Sequence, residues 1–286
     1  MPRLLAGLRE IAADYDGFLI DLWGVTHDGS APYPGALAAL QALRQAGKKV
    51  AFVSNSSSIA PHVAAQLTAM GITDYYALVT SGGLVAQALQ DENRLWRAGF
   101  AGKALLAGDG GILAQYNAPV TLAREPAAAG LIINAWYGDR QAEIAAWQAP
   151  MQQWRALDLP MLCTNPDYDV VLAHGRLLCP GAFAAAYAAM GGTVHYYGKP
   201  YAPAFAAGRA ALGLSSNARL AMIGDNLHTD IRGGQENGLD TVLILGGVHH
   251  AALGSAWGEA PPVAVLKALC VRESRSPTYA LPVLHY

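Results

Sequence analysis

The chain has 286 residues, of which 53% are hydrophobic and 14% are charged, so it can build large buried cores. This composition excludes a disordered, highly charged protein, and the length favours one α/β domain plus a second module of about 100 residues. The 19 Lys and Arg against 21 Asp and Glu include no basic run, which argues against nucleic-acid or anionic-membrane partners.

The cysteines and the first residues indicate the compartment. Cys163, Cys179 and Cys270 form no CxxC pair and fit unpaired thiols in a reducing environment. Charged residues interrupt the segment Met1 to Gly17, which breaks any apolar signal-peptide core. No later stretch reaches the roughly 18 uncharged apolar residues of a membrane helix. We therefore expect a cytoplasmic protein.

The first predicted elements form a βαβ unit. Residues 18–22 have the pattern of a strand, 35–45 of a helix and 49–54 of a second strand. This order implies a parallel sheet with a right-handed crossover, and ligand chemistry at the carboxyl ends of its strands. The polar residues that end these strands are therefore the first candidates for function.

Further strands and helices alternate along the rest of the chain. The middle block predicts an inserted α/β domain, and the segments from residue 193 onward resemble a returning first domain. The tail after Lys267 is rich in Ser and Pro and is expected to be an irregular arm. Helices are predicted over 61–70 and 84–89, and strands over 77–80, 103–107, 130–136, 159–164, 193–197, 218–223 and 241–245.

Asp21 follows the first predicted strand, and Gly24 permits a sharp turn just after it. The carboxylate should therefore be exposed at the end of the strand. A rival pair, Asp14 and Asp16, is rejected because the residues before it contain no strand pattern.

Two further segments carry groups suited to an anion. Ser54 and Asn55 end the next strand just before a helix, where hydroxyls and N–H groups suit a phosphate. Taken alone, this segment is better explained as a serine-rich helix N-cap. Lys199 lies between Gly198 and Pro200, which keep it out of a helix and allow its ammonium to enter a site. The alternative for Lys199 is an ordinary solvated lysine.

The segment Ile223 to Ile231, IGDNLHTDI, carries two carboxylates five residues apart, Asp225 and Asp230, on a loop that enters a helix. Such a pair can hold a hard divalent cation. The alternative is a loop aspartate followed by an acid that is favoured at a helix start.

In this order the four segments, DLWGVTHDG, VSNSSS, YYGKP and GDNLHTDI, resemble the haloacid dehalogenase superfamily, and within it the NagD-like branch of subclass IIA. The resemblance extends from Asp21 to Val248 and includes the stretch NPDYDVVLAHGRLLCPGAFAAAY. It implies a Rossmann-like parallel-sheet core with an inserted α/β cap. The implied limits are 1–85 and 181–286 for the core, the latter with the C-terminal tail, and 86–180 for the cap.

The resemblance also implies the chemistry, a Mg²⁺-dependent phosphatase or phosphotransferase acting on a small phosphorylated metabolite. Asp21 would form an aspartyl-phosphate, and Ser54 and Asn55 would bind the phosphoryl group. Lys199 would stabilise the charges of the Asp21 carboxylate and of the phosphoryl group. Metal ligation is assigned to Asp21, the main-chain carbonyl of Trp23, Asp225 and Asp230, and substrate contacts in the cap to Asn165 and Asp167. A homodimer is compatible with this assignment.

Trp23 departs from the family pattern, which usually places an aspartate there to protonate the leaving group and activate water. An indole does neither, so general acid/base catalysis is in question. The substrate then has a good leaving group, or His27 or Asp28 supplies the proton, or the protein binds a phosphate ligand with little turnover. The last reading is the alternative function, a weakly active or non-catalytic binding protein. Dehalogenation is less favoured because it needs no metal carboxylates.

Overall fold

The structure is a computed structural model that describes residues 1–91, 102–172 and 175–286. These residues form two compact units. The first unit comprises Met1–Ser54, Pro61–Val79 and Lys199–Tyr286, and the second comprises Asn55–Ala60 and Thr80–Gly198.

Strands and helices alternate along the described chain. The strands are β1 Arg3–Leu4, β2 Gly17–Ile20, β3 Lys49–Ser54, β4 Ala77–Thr80, β5 Lys103–Gly108, β6 Thr121–Leu122, β7 Leu131–Ala135, β8 Met161–Cys163, β9 Asp169–Leu172, β10 Gly175–Leu178, β11 Val194–Tyr196, β12 Leu220–Gly224, β13 Asp240–Ile244 and β14 Tyr279–Leu281. The α-helices are α1 Ala36–Gln45, α2 Ala60–Ala69, α3 Ser81–Gln90, α4 Gly111–Tyr116, α5 Gln141–Ala145, α6 Gln148–Ala156, α7 Pro180–Ala189, α8 Ala202–Ala211, α9 Arg232–Glu236, α10 His250–Leu253 and α11 Val263–Arg272. A π-helical turn covers Leu227–Ile231.

The first unit is built on a sheet of seven described strands in the order β1-β14-β13-β12-β2-β3-β4. The central pairs β12–β2 and β2–β3 are parallel, with Met222 opposite Leu19 and Leu19 opposite Ala51. All residues of β2 and β12 are buried, as expected of strands covered on both faces. The carboxyl ends of β2, β3 and β12 therefore lie side by side at one edge of the sheet.

Helix α1 is typical of how the helices cover this sheet. Its buried residues Ala36, Ala39, Leu40 and Leu43 recur at helical spacing and form one apolar stripe. Arg44 lies in its last turn, where a cation complements the helix dipole.

The second unit has its own parallel sheet of five described strands, in the order β11-β8-β7-β5-β6, and an antiparallel pair formed by β9 and β10. Strand β7 is buried throughout and pairs with both β5 and β8. The α/β parallel-sheet fold expected from the sequence is confirmed. Every described helix is too short or too polar to span a bilayer.

Two expectations from the sequence need correction. Strand β11 pairs with β8 in the second unit, so the segment 193–197 does not join the sheet of the first unit. The tail is not an irregular arm, because β14 lies between β1 and β13 in the first sheet. Strands β11 and β14 have three residues each, and the pattern of so short a run does not show which sheet a strand joins.

The domain limits proposed from the sequence, 1–85, 86–180 and 181–286, stay a prediction. Residues 92–101, 173 and 174 of the predicted cap lie outside the described residues. The second compact unit described here runs to Gly198 and includes α7 and β11.

Candidate active site

Asp21 lies directly after β2, at the carboxyl edge of the first sheet. Its N–H donates to the carbonyl oxygen of Ile223, 2.9 Å away, which continues the pairing with β12 by one residue. Its Oδ1 atom accepts the N–H of Leu22 at 2.7 Å. The carboxylate is therefore fixed by its own backbone at the point where the strand ends.

Lys199 joins two of the predicted carboxylates. Its Nζ atom lies 2.6 Å from Oδ1 of Asp21 and 2.7 Å from Oδ1 of Asp230. The lysine side chain is only 1% exposed, so these ion pairs are shielded from water. Lys199 is a buried bridge in the first unit, and the solvated-lysine alternative is wrong.

Asp225 and Asp230 complete an acidic cluster with Asp21. One ligand oxygen from each of the three lies within 4.8 Å of the others. Asp225 follows β12 and accepts the N–H of Val248 at 2.7 Å. Asp230 lies on the π-helical turn, and its Oδ2 atom accepts the N–H of Asn226 at 3.1 Å. Strand, turn and neighbouring loop thus aim the carboxylates at one point.

Burial makes this cluster electrostatically costly. It raises the pKa of Asp225 well above the usual range, and the charges of Asp21 and Asp230 raise it further. Burial also raises the pKa of Asp230, to about 6, although the adjacent Lys199 opposes this shift. When all are ionised, three carboxylates and one ammonium leave two negative charges, which a divalent cation balances.

The donor set fits Mg²⁺, which prefers carboxylate, carbonyl and water oxygens in octahedral geometry. Among the residues that the structure describes, no other group of three His, Cys, Asp or Glu side chains has comparable spacing. His249 accepts the N–H of Leu227 through Nε2 at 3.3 Å.

Two glycines make room for Asp225. A Cβ atom on Gly24 would lie 2.1 Å from Oδ2 of Asp225, and one on Gly247 would lie 2.2 Å from the same atom. Gly24 also has a φ of 77°, a conformation that side chains disfavour. Sequence reasoning missed Gly247 and Val248, although a Gly-Gly pair after a buried strand was the available signal.

We predict that Gly24→Ala lowers the affinity for Mg²⁺ by about 10–100-fold, because the new methyl group displaces the Asp225 carboxylate. Gly47→Ala is the matched control, since Gly47 has a φ of 72° but no described atom within 4 Å of the place that a methyl group would take. Both variants carry similar backbone strain. Calorimetric titration with Mg²⁺ checks the prediction, which is wrong if the two variants lose affinity equally.

Ser54 and Asn55 are adjacent in sequence but belong to different units. Ser54 is the last residue of β3, the strand beside β2, and is half-buried. Asn55 is buried in the second unit, where its Nδ2 atom donates to Oδ1 of Asp167 at 2.8 Å. Their predicted binding of a phosphoryl group stays a prediction.

Asn165 and Asp167 lie in the same hydrogen-bond network as Asn55. The N–H of Asp167 donates to Oδ1 of Asn165 at 2.8 Å, and Nδ2 of Asn165 lies 3.3 Å from the hydroxyl of Tyr137. That hydroxyl is also 2.9 Å from Oγ of Ser57. The predicted substrate residues thus share one hydrogen-bond network with Tyr137 and Ser57, which the sequence did not single out. The role of Asn165 and Asp167 in substrate binding stays a prediction.

The loop after Asp21 is held together by its own polar groups. The N–H of Gly29 donates to Nδ1 of His27 at 3.0 Å, and burial lowers the pKa of this histidine. Oδ1 of Asp28 accepts two N–H groups and the hydroxyl of Ser30, at 2.7–2.8 Å, and these bonds hold the pKa of Asp28 at about 2.

Trp23 is packed into the same loop. Its ring lies over the Cα atom of Gly29, where a Cβ atom would come within 2.1 Å of the indole. The indole also meets the His27 ring edge-on, with centroids 5.7 Å apart. The side chain at this position is therefore part of the loop's packing as well as a departure from the family pattern.

Comparison with known protein families gives two consecutive matches. Residues 18–118 match the model of the haloacid dehalogenase-like hydrolases, and residues 196–270 match a second, HAD-hydrolase-like model. The matched segments contain Asp21, Ser54, Lys199, Asp225 and Asp230.

Two similar proteins align with most of this chain. Chronophin of Rattus norvegicus is 32% identical over 249 residues, covering 85% of this chain and 80% of that protein. D-glycerol 3-phosphate phosphatase of Mycobacterium tuberculosis is 30% identical over 263 residues, covering 87% and 67%.

Solved structures of haloacid dehalogenase-like hydrolases and phosphatases are also similar to this chain. A haloacid dehalogenase-like hydrolase from Brucella suis superposes with a TM-score of 0.78 at 29% identity, covering 99% of this chain and 100% of that one. A Mycobacterium tuberculosis glycerol phosphate phosphatase in complex with magnesium has a TM-score of 0.63 at 25% identity, covering 86% and 73%.

Proposed function

The chain belongs to the haloacid dehalogenase-like hydrolases, and from that premise we propose that it hydrolyses a small phosphate monoester by Mg²⁺-dependent phosphoryl transfer to Asp21. It is a hydrolase of phosphate esters. The single observation that carries the finer proposal is the position of Lys199, 2.6 Å from Asp21 and 2.7 Å from Asp230 inside a buried acidic cluster.

The proposed reaction has two displacements at phosphorus. An Asp21 oxygen attacks, the bond from phosphorus to the leaving-group oxygen breaks, and an aspartyl-phosphate forms. Water then attacks phosphorus, the bond from phosphorus to the Asp21 oxygen breaks, and a proton of the water passes to solvent. This releases inorganic phosphate and restores the Asp21 carboxylate. Splitting hydrolysis into two steps in this way is a general advantage of a carboxylate nucleophile.

The other residues of the site neutralise negative charge and position the substrate. Lys199 offsets the charge of the Asp21 carboxylate and of the incoming phosphate, which otherwise repel each other. Ser54 and Asn55 supply hydrogen-bond donors for the phosphoryl oxygens. Asn165 and Asp167 contact the remainder of the substrate. Because phosphoryl transfer requires little covalent help, positioning and charge neutralisation account for most of the rate.

Asp21, the carbonyl oxygen of Trp23, Asp225 and Asp230 would hold the Mg²⁺ ion. When bound, Mg²⁺ supplies positive charge that draws the nucleophile and the phosphoryl oxygens together. Asp230 is also paired with Lys199, so it suits an indirect contact through water. A cytoplasmic location, a homodimer and the absence of nucleic-acid or membrane partners stay predictions from the sequence.

The test is a hydrolysis assay with 4-nitrophenyl phosphate and a panel of small sugar, polyol and acyl phosphates. Turnover of at least one compound should depend on Mg²⁺ and fall by about 10²-fold or more after chelation, because the buried carboxylates are then left without their counter-charge. Calcium in place of magnesium controls for a purely structural ion. Equal turnover with and without a chelator contradicts the proposal.

Trp23 favours a second candidate, a phosphate-ligand-binding protein with little turnover, since the residue cannot exchange protons with a substrate. Calorimetry separates the two functions. The second candidate predicts that phosphorylated compounds bind in the presence of Mg²⁺ and are recovered intact, whereas the first predicts release of inorganic phosphate.

A further inference from the structure

We infer that this enzyme selects substrates by the acidity of the group that leaves phosphorus, and acts on phosphates of phenols, enols or carboxylic acids in preference to those of alkyl alcohols. This inference rests on the proposed function and names its substrate class. The reason lies in the loop from Leu22 to Ala31, which the structure describes in full, and in which Thr26, His27 and Asp28 each make hydrogen bonds within the loop itself.

Trp23, two residues after Asp21, is held by contacts within the loop. The ring packs on Gly29, whose φ of 93° and lack of a side chain allow the close approach. His27 meets the indole from its edge at a centroid distance of 5.7 Å. The indole N–H is far too weak an acid to protonate an oxygen in water. Position 23 therefore carries an aromatic side chain instead of a proton donor.

The polar side chains of the loop are used within the loop itself. Thr26 is buried and donates its hydroxyl to the carbonyl of Leu22 at 2.8 Å. Nδ1 of His27 accepts the N–H of Gly29, and His27 is only 6% exposed. Oδ1 of Asp28 accepts hydrogen bonds from Ser30 and Ala31 at 2.7–2.8 Å, an arrangement that favours the ionised carboxylate, which is an acceptor and not a proton donor.

Among the options that the sequence left open, these contacts argue against His27 or Asp28 as the proton donor. Asp28 accepts the hydrogen bonds of a turn, and a His27 ring whose Nδ1 accepts an N–H is not the doubly protonated imidazolium that acts as an acid, so neither side chain is set up to replace an acid at position 23. A leaving group that departs without a proton must carry the negative charge itself. Phenolates, enolates and carboxylates do so readily, whereas alkoxides do not, and general acid catalysis is worth about 10²–10⁴-fold.

The experiment measures kcat/KM for substituted phenyl phosphates, acetyl phosphate and glycerol phosphate, and relates log kcat/KM to the pKa of the leaving group. The wild-type chain should show a steep negative slope. Trp23→Asp should reduce the ratio of kcat/KM for 4-nitrophenyl phosphate to that for glycerol phosphate by about 10²-fold, because the new carboxyl group protonates the alkoxide.

Trp23→Asn is the matched control, since it leaves the same space beside Gly29 but has no acidic proton. It should keep the steep slope. His27→Asn retains an acceptor for the Gly29 N–H and removes Nε2, and it should also leave the slope unchanged, which tests the inference even if Trp23→Asp does not fold.

Three outcomes decide the matter. Wild-type hydrolysis with a shallow slope overturns this inference alone and leaves the proposed function standing. A selective loss of glycerol phosphate hydrolysis in His27→Asn also overturns it, since His27 is then the donor. Failure of the wild-type chain to hydrolyse any compound overturns the proposed function itself.

Discussion

Asp21→Asn is expected to lower kcat by at least about 10⁴-fold, because an amide oxygen does not form the covalent intermediate on which both displacements depend. The fold should persist. An Asn oxygen still accepts the N–H of Leu22, and Lys199 keeps its ion pair with Asp230, 2.7 Å away. The measurement is phosphate release from 4-nitrophenyl phosphate with saturating Mg²⁺, beside a thermal melt.

Asp28→Asn is the control for this variant. It makes the same chemical change on the same loop, and its amide oxygen can still accept the N–H groups of Ser30 and Ala31. We expect its kcat to stay within about threefold of wild type, as is usual for an exposed position outside the chemistry. More than about 1% residual activity in Asp21→Asn would mean that another group attacks phosphorus.

Lys199→Met should both slow the reaction and destabilise the first unit. Its removal leaves the partly buried Asp21 and the fully buried Asp230 carboxylates without their shared cation, a change that costs about 3–5 kcal/mol of the free energy of unfolding. The loss of charge stabilisation at phosphorus should lower kcat by about 10²–10³-fold. Added Mg²⁺ should restore part of the stability, because it supplies positive charge to the same cluster.

The destabilisation should depend on pH, with a definite sign. The pKa of Asp230 is raised to about 6 in the folded chain, so its protonated form is favoured by folding. Stability from this group is present below its ordinary pKa and is lost as pH rises through about 6. Without Lys199 the pKa rises further. The free energy of unfolding of Lys199→Met should therefore be close to that of wild type near pH 4 and much lower than that of wild type near pH 8.

Lys48→Met is the matched control, since the Nζ atom of Lys48 is part-buried and donates to a neutral group, the carbonyl oxygen of Tyr15, at 2.7 Å. Urea unfolding at the two pH values, with and without Mg²⁺, measures the free energies. A Lys199→Met variant whose loss of stability is the same at both pH values, or equals that of Lys48→Met, would refute the role of the ion pairs.

The sequence by itself determined the main elements of the first sheet and the ends of its central strands. Apolar runs such as residues 18–20 and 220–223 are recognisable because a strand buried on both faces needs every side chain apolar. The polar residue that follows each run, Asp21 or Asp225, must then lie at the sheet's carboxyl edge. The order of these segments was enough to predict the family, which the comparisons confirm.

Only the tertiary structure decided which distant groups meet. Lys199 is 178 positions from Asp21 along the chain. Gly198 and Pro200 and the family resemblance favoured a site lysine, but only the structure shows its burial and its ion pairs with Asp21 and Asp230. Likewise β14 and β11 are too short to reveal their sheets, and the internal hydrogen bonds of His27 and Asp28 depend on how the loop turns. The spacing of apolar residues shows whether a segment is a helix or a strand. Ion pairs, sheet order and loop closure depend instead on contacts between residues far apart in the chain, and that spacing carries no information about them.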